Sequence, residues 1–427
     1  MAFSVTDYFA LCCLVQNLHL VEGPEFMKSS TNITNFDNLI SFAILFQLVA
    51  VSSKNMLSST IRQVNDYNVI LNQIISVISI LIYLRCIVKT KFRVSRSAAM
   101  IILSSFTFFS MTYLFNYELF SYEVVVSDFQ VFVAYCLPLI LFVPLMNDVE
   151  TFLNNLYKAA YLLSMVAILT FFLVLLGLDT VYVYSMSYGG AAMIPSILLF
   201  SKAFKEKTLK DFFLASFCAL AILAQGSRWP LLCIGTYVIC KTIGNTLKSG
   251  KMIFFYIALI ATIIILAWIY YIPILETLVL ILEEFGLSSR SIKLFLQGKA
   301  TYDSGRSHIY ERLIPKLIQS PLVGYGAFGG VVALDGTSPH HFILDTWANF
   351  GIVFGTLILF IMLYKMMKSL LLYDGTSYAE LVLIYSCMIW PKVTVAGRFW
   401  SEQAFWMLVA LYIFRGKCLL GEKKKRS

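Results

Sequence analysis

Three of the four histidines lie in one part of the chain: His308, and the adjacent pair His340 and His341. Histidine titrates near neutral pH, so it is the side chain best suited to accept or donate a proton there. Ser338 and Pro339 come immediately before the pair and predict the start of a helix, with Ser338 as the N-cap and Pro339 in the first turn. The positive end of that helix would keep His340 neutral and able to accept a proton from a hydroxyl group. The alternative is a histidine pair that hydrogen-bonds loop carbonyls at a membrane surface.

Three arginines stand in short polar breaks between apolar stretches: Arg228, Arg306 and Arg398. A guanidinium group binds phosphate oxygens through two parallel hydrogen bonds, which an ammonium group cannot do. A group of arginines at a membrane surface therefore suits a diphosphate. The alternative for each arginine is snorkelling or an ion pair with a nearby acid. The acids that we considered are Asp303, Glu311 and Asp345.

Other polar residues near these breaks are candidates for supporting roles. Asp345 follows His341 by four residues, which places both on one helical face and predicts that the carboxylate orients the imidazole. Tyr325 could stack on a sugar ring, although packing at the membrane interface is the more common role of tyrosine. For Arg290 and Arg312 we favour ion pairing. The remaining candidates are Asp303 and His308.

The sequence offers no pattern for a metal ion or another cofactor. No DxD-like pair of carboxylates stands on the predicted outer side, and the nine cysteines form no CxxC pair. We therefore expect no metal, no cofactor and no disulfide framework. In that case the arginines must neutralise any anionic group that the site binds.

The composition determines which class of fold must position these residues. Of the 427 residues, 59% are hydrophobic and 13% are charged, whereas soluble domains carry about 25% charged residues. The mean hydropathy is +0.79. These values exclude a soluble enzyme, a disordered chain and a nucleic-acid-binding domain. They predict an all-α polytopic membrane protein.

Uncharged runs indicate where the chain crosses the membrane, because a helix needs about 20 apolar residues to do so. Counting them predicts about 12 or 13 transmembrane helices, the less certain one being Tyr8–Val21. The other runs are Asn38–Ser53, Tyr67–Leu84, Ser97–Tyr117, Phe129–Asn147, Ala159–Leu178, Thr180–Ser201, Phe212–Ser227, Trp229–Cys240, Met252–Leu275, Thr346–Tyr364, Leu381–Pro391 and Gln403–Phe414.

The distribution of positive charge predicts the orientation. Much of the net charge of +9 lies in three short clusters, Lys89–Arg96, Lys202–Lys210 and Lys423–Arg426, and such clusters mark cytoplasmic loops. The C-terminus is then cytoplasmic, and residues 273–339 form one large loop on the opposite side, with short amphipathic helices. We divide the chain into the helices of the main bundle (1–272), this loop (273–339), and the C-terminal helices with a basic tail (340–427).

Several of these residues together resemble the O-antigen polymerase and O-antigen ligase superfamily. The resemblance rests on Gly305-Arg306, on Pro321-Leu-Val-Gly324-Tyr-Gly326, and on His340 with the later Gly351. In that family the large periplasmic loop ends in His-Asn-x-x-Leu. Here the segment reads His340-His341-Phe-Ile-Leu344, so His341 replaces the asparagine. The Ser227-Arg228 break and the Arg290-x-x-x-Leu294 pattern also resemble family motifs.

The resemblance implies a membrane-embedded glycosyltransferase with a GT-C-like fold and an inverting, metal-independent mechanism. It implies an undecaprenyl-diphosphate-linked oligosaccharide as donor and a second glycan as acceptor. His340 would be the base, and Arg228, Arg306 and Arg398 would bind the diphosphate. The protein would lie among the lipids of a bacterial inner membrane, with its active site facing the periplasm. A chain-length-regulating co-polymerase is a possible partner, and nucleic acid is not.

Two activities fit this resemblance. We favour a polymerase, because polymerases vary with their repeat unit and this chain matches the shared motifs loosely. A ligase that transfers the glycan to lipid A–core is the alternative. A flippase or other transporter is a third hypothesis, but it predicts repeated halves and charges deep inside the spans, and the sequence indicates neither. A purely structural membrane protein is a fourth.

Overall fold

The computed structural model describes residues 30–91, 94–176, 185–249, 272–273, 275–277, 279–281, 283–284, 290–297, 306–371, 375–393 and 397–413. Within these ranges the chain forms helices and no β-strand. The prediction of an all-α polytopic membrane protein is therefore confirmed. The predicted spans Tyr8–Val21 and Met252–Leu275 lie wholly or mainly outside the described residues.

We number the helices in chain order. In the first half they are α1 (Ser30–Ser58), the short α2 (Arg62–Asp66), α3 (Asn68–Lys89), α4 (Arg96–Phe115), α5 (Glu123–Leu145) and α6 (Val149–Leu175). Next come α7 (Met186–Glu206), α8 (Leu209–Ala224) and α9 (Arg228–Ser249). The C-terminal part contains α10 (Arg290–Leu296), α11 (Arg306–Gln319), α12 (Gly329–Ala333), α13 (Phe342–Leu371), α14 (Ser377–Ile389) and α15 (Gln403–Ile413).

Six of these helices are long and apolar enough to cross a membrane: α1, α3, α4, α5, α6 and α13. Two further apolar helices, α14 and α15, are shorter. Helices α7, α8 and α9 occupy three more of the predicted runs but are shorter or more polar. On α3 the large apolar side chains Val69, Ile74, Val77 and Leu81 are exposed. A row of exposed aliphatic side chains is expected on a helix surrounded by lipid.

The bundle packs around α1 and α7. Helix α1 contacts α3, α6 and α7, while α7 lies against α6, α8 and α9. An aromatic cluster surrounds Trp400, which follows Arg398 in the segment after α14. In it the ring of Trp400 lies 4.5 Å from that of Phe109 and 5.5 Å from that of Phe132, measured between centroids. These rings fix the segment that follows α14.

Helix α13 is broken at Gly351, whose φ of 80° and ψ of 162° are not helical. The break is filled by the segment 321–325. The amide of Val353 donates to the carbonyl of Pro321 (3.1 Å), and the amide of Tyr325 donates to that of Ala348 (2.7 Å). A Cβ atom on Gly324 would lie 2.6 Å from the carbonyl oxygen of Ala348, so a glycine is needed for this close approach. The glycine-rich segment thus fixes the first half of α13.

The interior of the bundle contains a charged pair, which corrects the expectation that the spans carry no deep charges. Lys241 of α9 forms an ion pair with Glu380 of α14, and both side chains are buried. Ser201 and Tyr237 each donate to the same carboxylate at 2.6 Å. The predicted runs ended at Cys240 and began at Leu381, so they stopped one residue short of each charge. The pair forms because two distant residues neutralise each other, which a scan for uncharged runs does not detect.

Candidate functional site

The two adjacent histidines have different surroundings, and neither lies inside the helix. The sequence predicted that α13 begins at Pro339, but it begins at Phe342. His341 is its N-cap residue: Nδ1 accepts a hydrogen bond from the amide of Leu344 (3.4 Å). His340 precedes the cap with a φ of 48°, a left-handed conformation that few residues other than glycine adopt. Its side chain is exposed. His341 therefore begins the helix, and His340 is free of that role.

His340 opens onto a cavity of about 440 Å³. One group of polar side chains in its wall, which contains all of its charged residues, comes from three places: the turn before α13, the segment after α14, and the start of α15. They include His340, Lys392, Arg398, Ser401, Glu402 and Gln403. The remaining wall is formed mainly by α1, α7 and α14 and is mostly apolar, although Gln47, Ser52 and Asn55 of α1 and Ser187 of α7 also line it. On α7 the lining residues extend from Met186 to Leu198, which corresponds to about 18 Å along a helix. The cavity is amphipathic, with a polar end and a long apolar wall.

Arg398 and the two residues after it are held in place by buried side chains that do not line the cavity. Its guanidinium is 2.9 Å from the carboxylate of Asp128, which is 3% exposed and is not part of the cavity lining. The next residue, Phe399, donates its amide to Asp345 Oδ2 (2.8 Å). The indole of Trp400 donates to Asn349 Oδ1 (2.9 Å). The first turns of α13 therefore fix the Arg398 segment from inside the bundle.

These contacts give Asp345 a role other than the predicted one. The sequence placed it on the same face as His341 and predicted that it orients the imidazole. Its carboxylate instead accepts the Phe399 amide, and Nδ1 of His341 accepts the Leu344 amide. Both acceptors bind backbone amides that would otherwise have no partner, because a helix start or a turn leaves such amides without a backbone acceptor. Asp345 is thus a positioning residue for the Arg398 segment.

The electrostatic surroundings favour a neutral His340. Partial burial lowers the pKa of the imidazole below its ordinary value, and the positive charges of Arg398 and Arg306 lower that pKa further. Partial burial and the charge of Arg306 likewise lower the pKa of His341. Two cations near an imidazole disfavour its protonated form. His340 is therefore able to accept a proton at neutral pH.

The three candidate arginines occupy different positions. Among the residues that the structure describes, the cavity wall includes Arg398 but neither Arg228 nor Arg306. Arg228 begins α9 immediately before Trp229, which lines the cavity. Arg306 begins α11 and is close enough to affect the pKa of both histidines. The structure thus brings Arg398 and Arg306 towards His340, and it places Arg228 beside the cavity.

The remaining candidates lie away from the cavity lining. His308 is exposed on α11. Tyr325 is half-buried, and its hydroxyl donates to the carbonyl of Lys316 (2.7 Å), which ties the glycine-rich segment to α11. Arg290 begins α10, and Asp303 lies outside the described residues. Arg312 forms an ion pair with Asp335 (3.3 Å), an acid other than the three that the sequence suggested.

Sequence reasoning missed an ion pair inside the cavity. Lys392 Nζ lies 2.5 Å from Glu402 Oε2, and both side chains line the cavity together with His340 and Arg398. The ammonium group also lies 4.8 Å from the ring centroid of Trp229. One signal was available: Lys392 and Glu402 each stand at the end of an apolar run, on either side of the Arg398 break. Asp128 likewise stands one residue before the run Phe129–Asn147.

The comparison with known families supports the resemblance seen in the motifs. Residues 212–360 match the family model described as O-antigen ligase. The matched segment contains Arg228, Arg306 and His340 and ends before Lys392 and Arg398. No curated protein and no solved structure matches the chain significantly. Over residues 212–360 the chain is therefore similar to the O-antigen ligase family, which supports the resemblance to the O-antigen polymerase and O-antigen ligase superfamily.

Proposed function

We propose that this membrane protein polymerises a bacterial surface polysaccharide. It would transfer the growing glycan from undecaprenyl diphosphate to the non-reducing end of a lipid-linked repeat unit. The observation that carries the proposal is the amphipathic cavity, in which His340 and Arg398 stand at the end of a long apolar wall. A lipid-linked diphosphate has the same division into a charged group and an apolar chain. Relatives in this superfamily are glycosyltransferase-like enzymes with lipid-linked substrates.

In this proposal the diphosphate lies at the polar end of the cavity and the prenyl chain along α7. Arg398 contacts the phosphate oxygens and keeps Asp128 as its partner on the opposite side. Arg306 and Arg228 add positive charge around the same end. These cations stabilise the negative charge that develops on the leaving diphosphate, so the reaction needs no divalent metal.

His340 acts as the base. A hydroxyl oxygen of the acceptor attacks the anomeric carbon of the donor from the side opposite the diphosphate, while the imidazole accepts the hydroxyl proton. The new glycosidic bond forms as the bond between carbon and diphosphate oxygen breaks. This single displacement inverts the anomeric configuration. The exposed, neutral imidazole beside Arg398 supports this role.

We place the cavity at the periplasmic face of the inner membrane and the C-terminus in the cytoplasm, on the basis of the charge distribution. A co-polymerase that limits chain length fits this arrangement as a partner.

Ligation is the second candidate, because the matching family model is described as O-antigen ligase. A ligase uses the same kind of donor and the same base, and only the acceptor differs: lipid A–core takes the place of the repeat unit.

Transport receives less support. The buried Lys241–Glu380 pair removes one argument against it. Neither residue lines the cavity, however, and the carboxylate already accepts hydrogen bonds from Ser201 and Tyr237. The pair therefore presents no charge to a molecule in the cavity.

The test is transfer in vitro. Purified protein is incubated with a lipid-linked repeat unit from its own strain, with and without EDTA, and the products are separated on a gel. We expect a ladder that EDTA does not change and that His340→Asn abolishes. Asparagine suits this control because it tolerates the left-handed conformation. Transfer only after lipid A–core is added would support the ligase. No transfer to either acceptor, or a need for Mg²⁺ or Mn²⁺, would contradict the proposed mechanism.

A further inference from the structure

Of the residues that the structure describes, two cations line the cavity, and they are paired in different ways. Arg398 is paired with Asp128, a buried carboxylate outside the cavity lining. Lys392 is paired with Glu402, and both members of that pair line the cavity. An anion that enters can therefore bind Arg398 without disturbing Asp128. It cannot approach Lys392 without also approaching the carboxylate of Glu402.

A carboxylate inside a cavity for an anionic ligand needs an explanation. Unpaired, Glu402 would repel a diphosphate, and like charges in a partly buried site interact strongly. The 2.5 Å contact with Lys392 neutralises it. The ring of Trp229 covers another side of the ammonium group. Lys392 is thus held beside the polar end of the cavity with its charge already balanced.

We propose that Lys392 binds the diphosphate of the lipid-linked substrate and that Glu402 restrains it until that ligand arrives. The inference rests on the proposed function, since it needs a lipid diphosphate in this cavity. A diphosphate carries more negative charge than one carboxylate, and several phosphate oxygens can accept from the ammonium group at once. Entry of the ligand therefore transfers Lys392 from Glu402 to the phosphate oxygens. Glu402 lowers the affinity of the site for anions, so a ligand must carry more negative charge than one carboxylate to displace Glu402 from Lys392.

This role predicts opposite effects for the two members of one ion pair. Lys392→Gln removes a ligand of the diphosphate and leaves Glu402 to repel it, so binding becomes weaker. Glu402→Gln removes the competitor and the repulsion, so binding becomes tighter. A pair that serves only to hold α15 against the segment after α14 predicts that both substitutions weaken binding to a similar degree.

The experiment measures binding of farnesyl diphosphate to the purified full-length protein in detergent by isothermal titration calorimetry, with farnesol for comparison. We expect Lys392→Gln to raise the dissociation constant about tenfold and Glu402→Gln to lower it about fivefold, as expected for one charge-assisted contact in a partly exposed site. The double variant should bind as weakly as Lys392→Gln or slightly more tightly. The matched control is Asp335→Asn, which removes the exposed pairs with Arg312 and Lys316 and should leave binding unchanged.

The outcomes separate this inference from the proposed function. Weaker binding by Glu402→Gln, with an unchanged thermal unfolding midpoint, would overturn the inference alone. Equal binding of farnesyl diphosphate and farnesol by the unsubstituted protein would overturn the proposed function and the inference with it. If Glu402→Gln does not fold, Glu402→Asp loosens the pair by one methylene and should also tighten binding; weaker binding by that variant would equally overturn the inference.

Discussion

At the scale of single residues, the site depends on a division of labour between two neighbours. His341 caps α13 through Nδ1, which requires that nitrogen to be unprotonated. His340 precedes that cap, and its backbone is left-handed, with a φ of 48°. Strain of this kind costs on the order of 1 kcal/mol and is characteristic of functional sites. One histidine thus builds the turn and the other remains available for chemistry.

The pH dependence of transfer should report the protonation of His340. The ordinary pKa of histidine is about 6.5, and burial, Arg398 and Arg306 lower the pKa of His340. A base must be neutral, so the rate should stay constant above pH 6.5 and fall as the pH drops through the lowered pKa. Arg306→Gln removes one of the two cations, which raises the pKa and moves the acidic limb of kcat/KM to higher pH. A limb that stays in place would show that another group is the base.

The sequence predicted those residues of the site that stand out from their immediate neighbours in the chain. His340 and Arg398 stand out because each lies in a short polar break between apolar runs. The partnership of Lys392 with Glu402 is not visible in this way, because it depends on how the segment after α14 turns towards α15. The four-residue spacing of His341 and Asp345 predicted a contact that backbone donors prevent. Helix spacing places side chains on one face but does not determine what else competes for them.

At the scale of elements, the geometry of the site depends on the break in α13. The first half of the helix presents Asp345 and Asn349 to the Arg398 segment, and the second half is mostly apolar. An unbroken helix would not leave room for the segment 321–325. The sequence predicted an apolar run from Thr346 to Tyr364 but not this break, because a single glycine is often tolerated within a helix. Only the segment that fills the break makes the glycine necessary.

Gly351 should therefore be among the least replaceable residues. With a φ of 80°, a side chain there is strained, and its Cβ atom would overlap the carbonyl of Leu322. We expect Gly351→Ala to reduce stability by about 1–3 kcal/mol and to lower transfer. The control is Gly235→Ala in α9, where the added Cβ has no neighbour within 4 Å. That change should be neutral or stabilising by up to about 1 kcal/mol. Equal thermal unfolding midpoints for the two variants would contradict this account of the break.

At the scale of the whole molecule, buried charge links helices that are far apart in the sequence. Lys241 lies in α9 and Glu380 in α14, and the remaining partners come from α7 and α9. Composition and hydropathy predicted the class of fold because lipid requires apolar surfaces along most of each span. They did not predict this pair, since two charges that neutralise each other inside a bundle do not contact lipid.

Replacing one member of this ion pair should destabilise the protein more than replacing both. Glu380→Gln leaves Lys241 buried without a counter-ion, and we expect a loss of about 3–5 kcal/mol in stability. Adding Lys241→Met removes the isolated charge and should restore most of that loss. Thermal unfolding of the purified protein in detergent measures both effects. If the double variant is no more stable than Glu380→Gln, the pair contributes through packing and not through charge.

The Lys241–Glu380 pair also has a consequence for biosynthesis. The two residues are 139 positions apart, so the ribosome completes α9 long before it makes the counter-ion of its lysine. At about 5–20 residues per second, the interval is on the order of ten seconds. During that time a lysine without a partner opposes the entry of α9 into lipid, by about 2.5–3.5 kcal/mol at the bilayer centre. We therefore expect the nascent α9 to reach its full stability in the membrane only when α14 emerges and Glu380 neutralises the lysine.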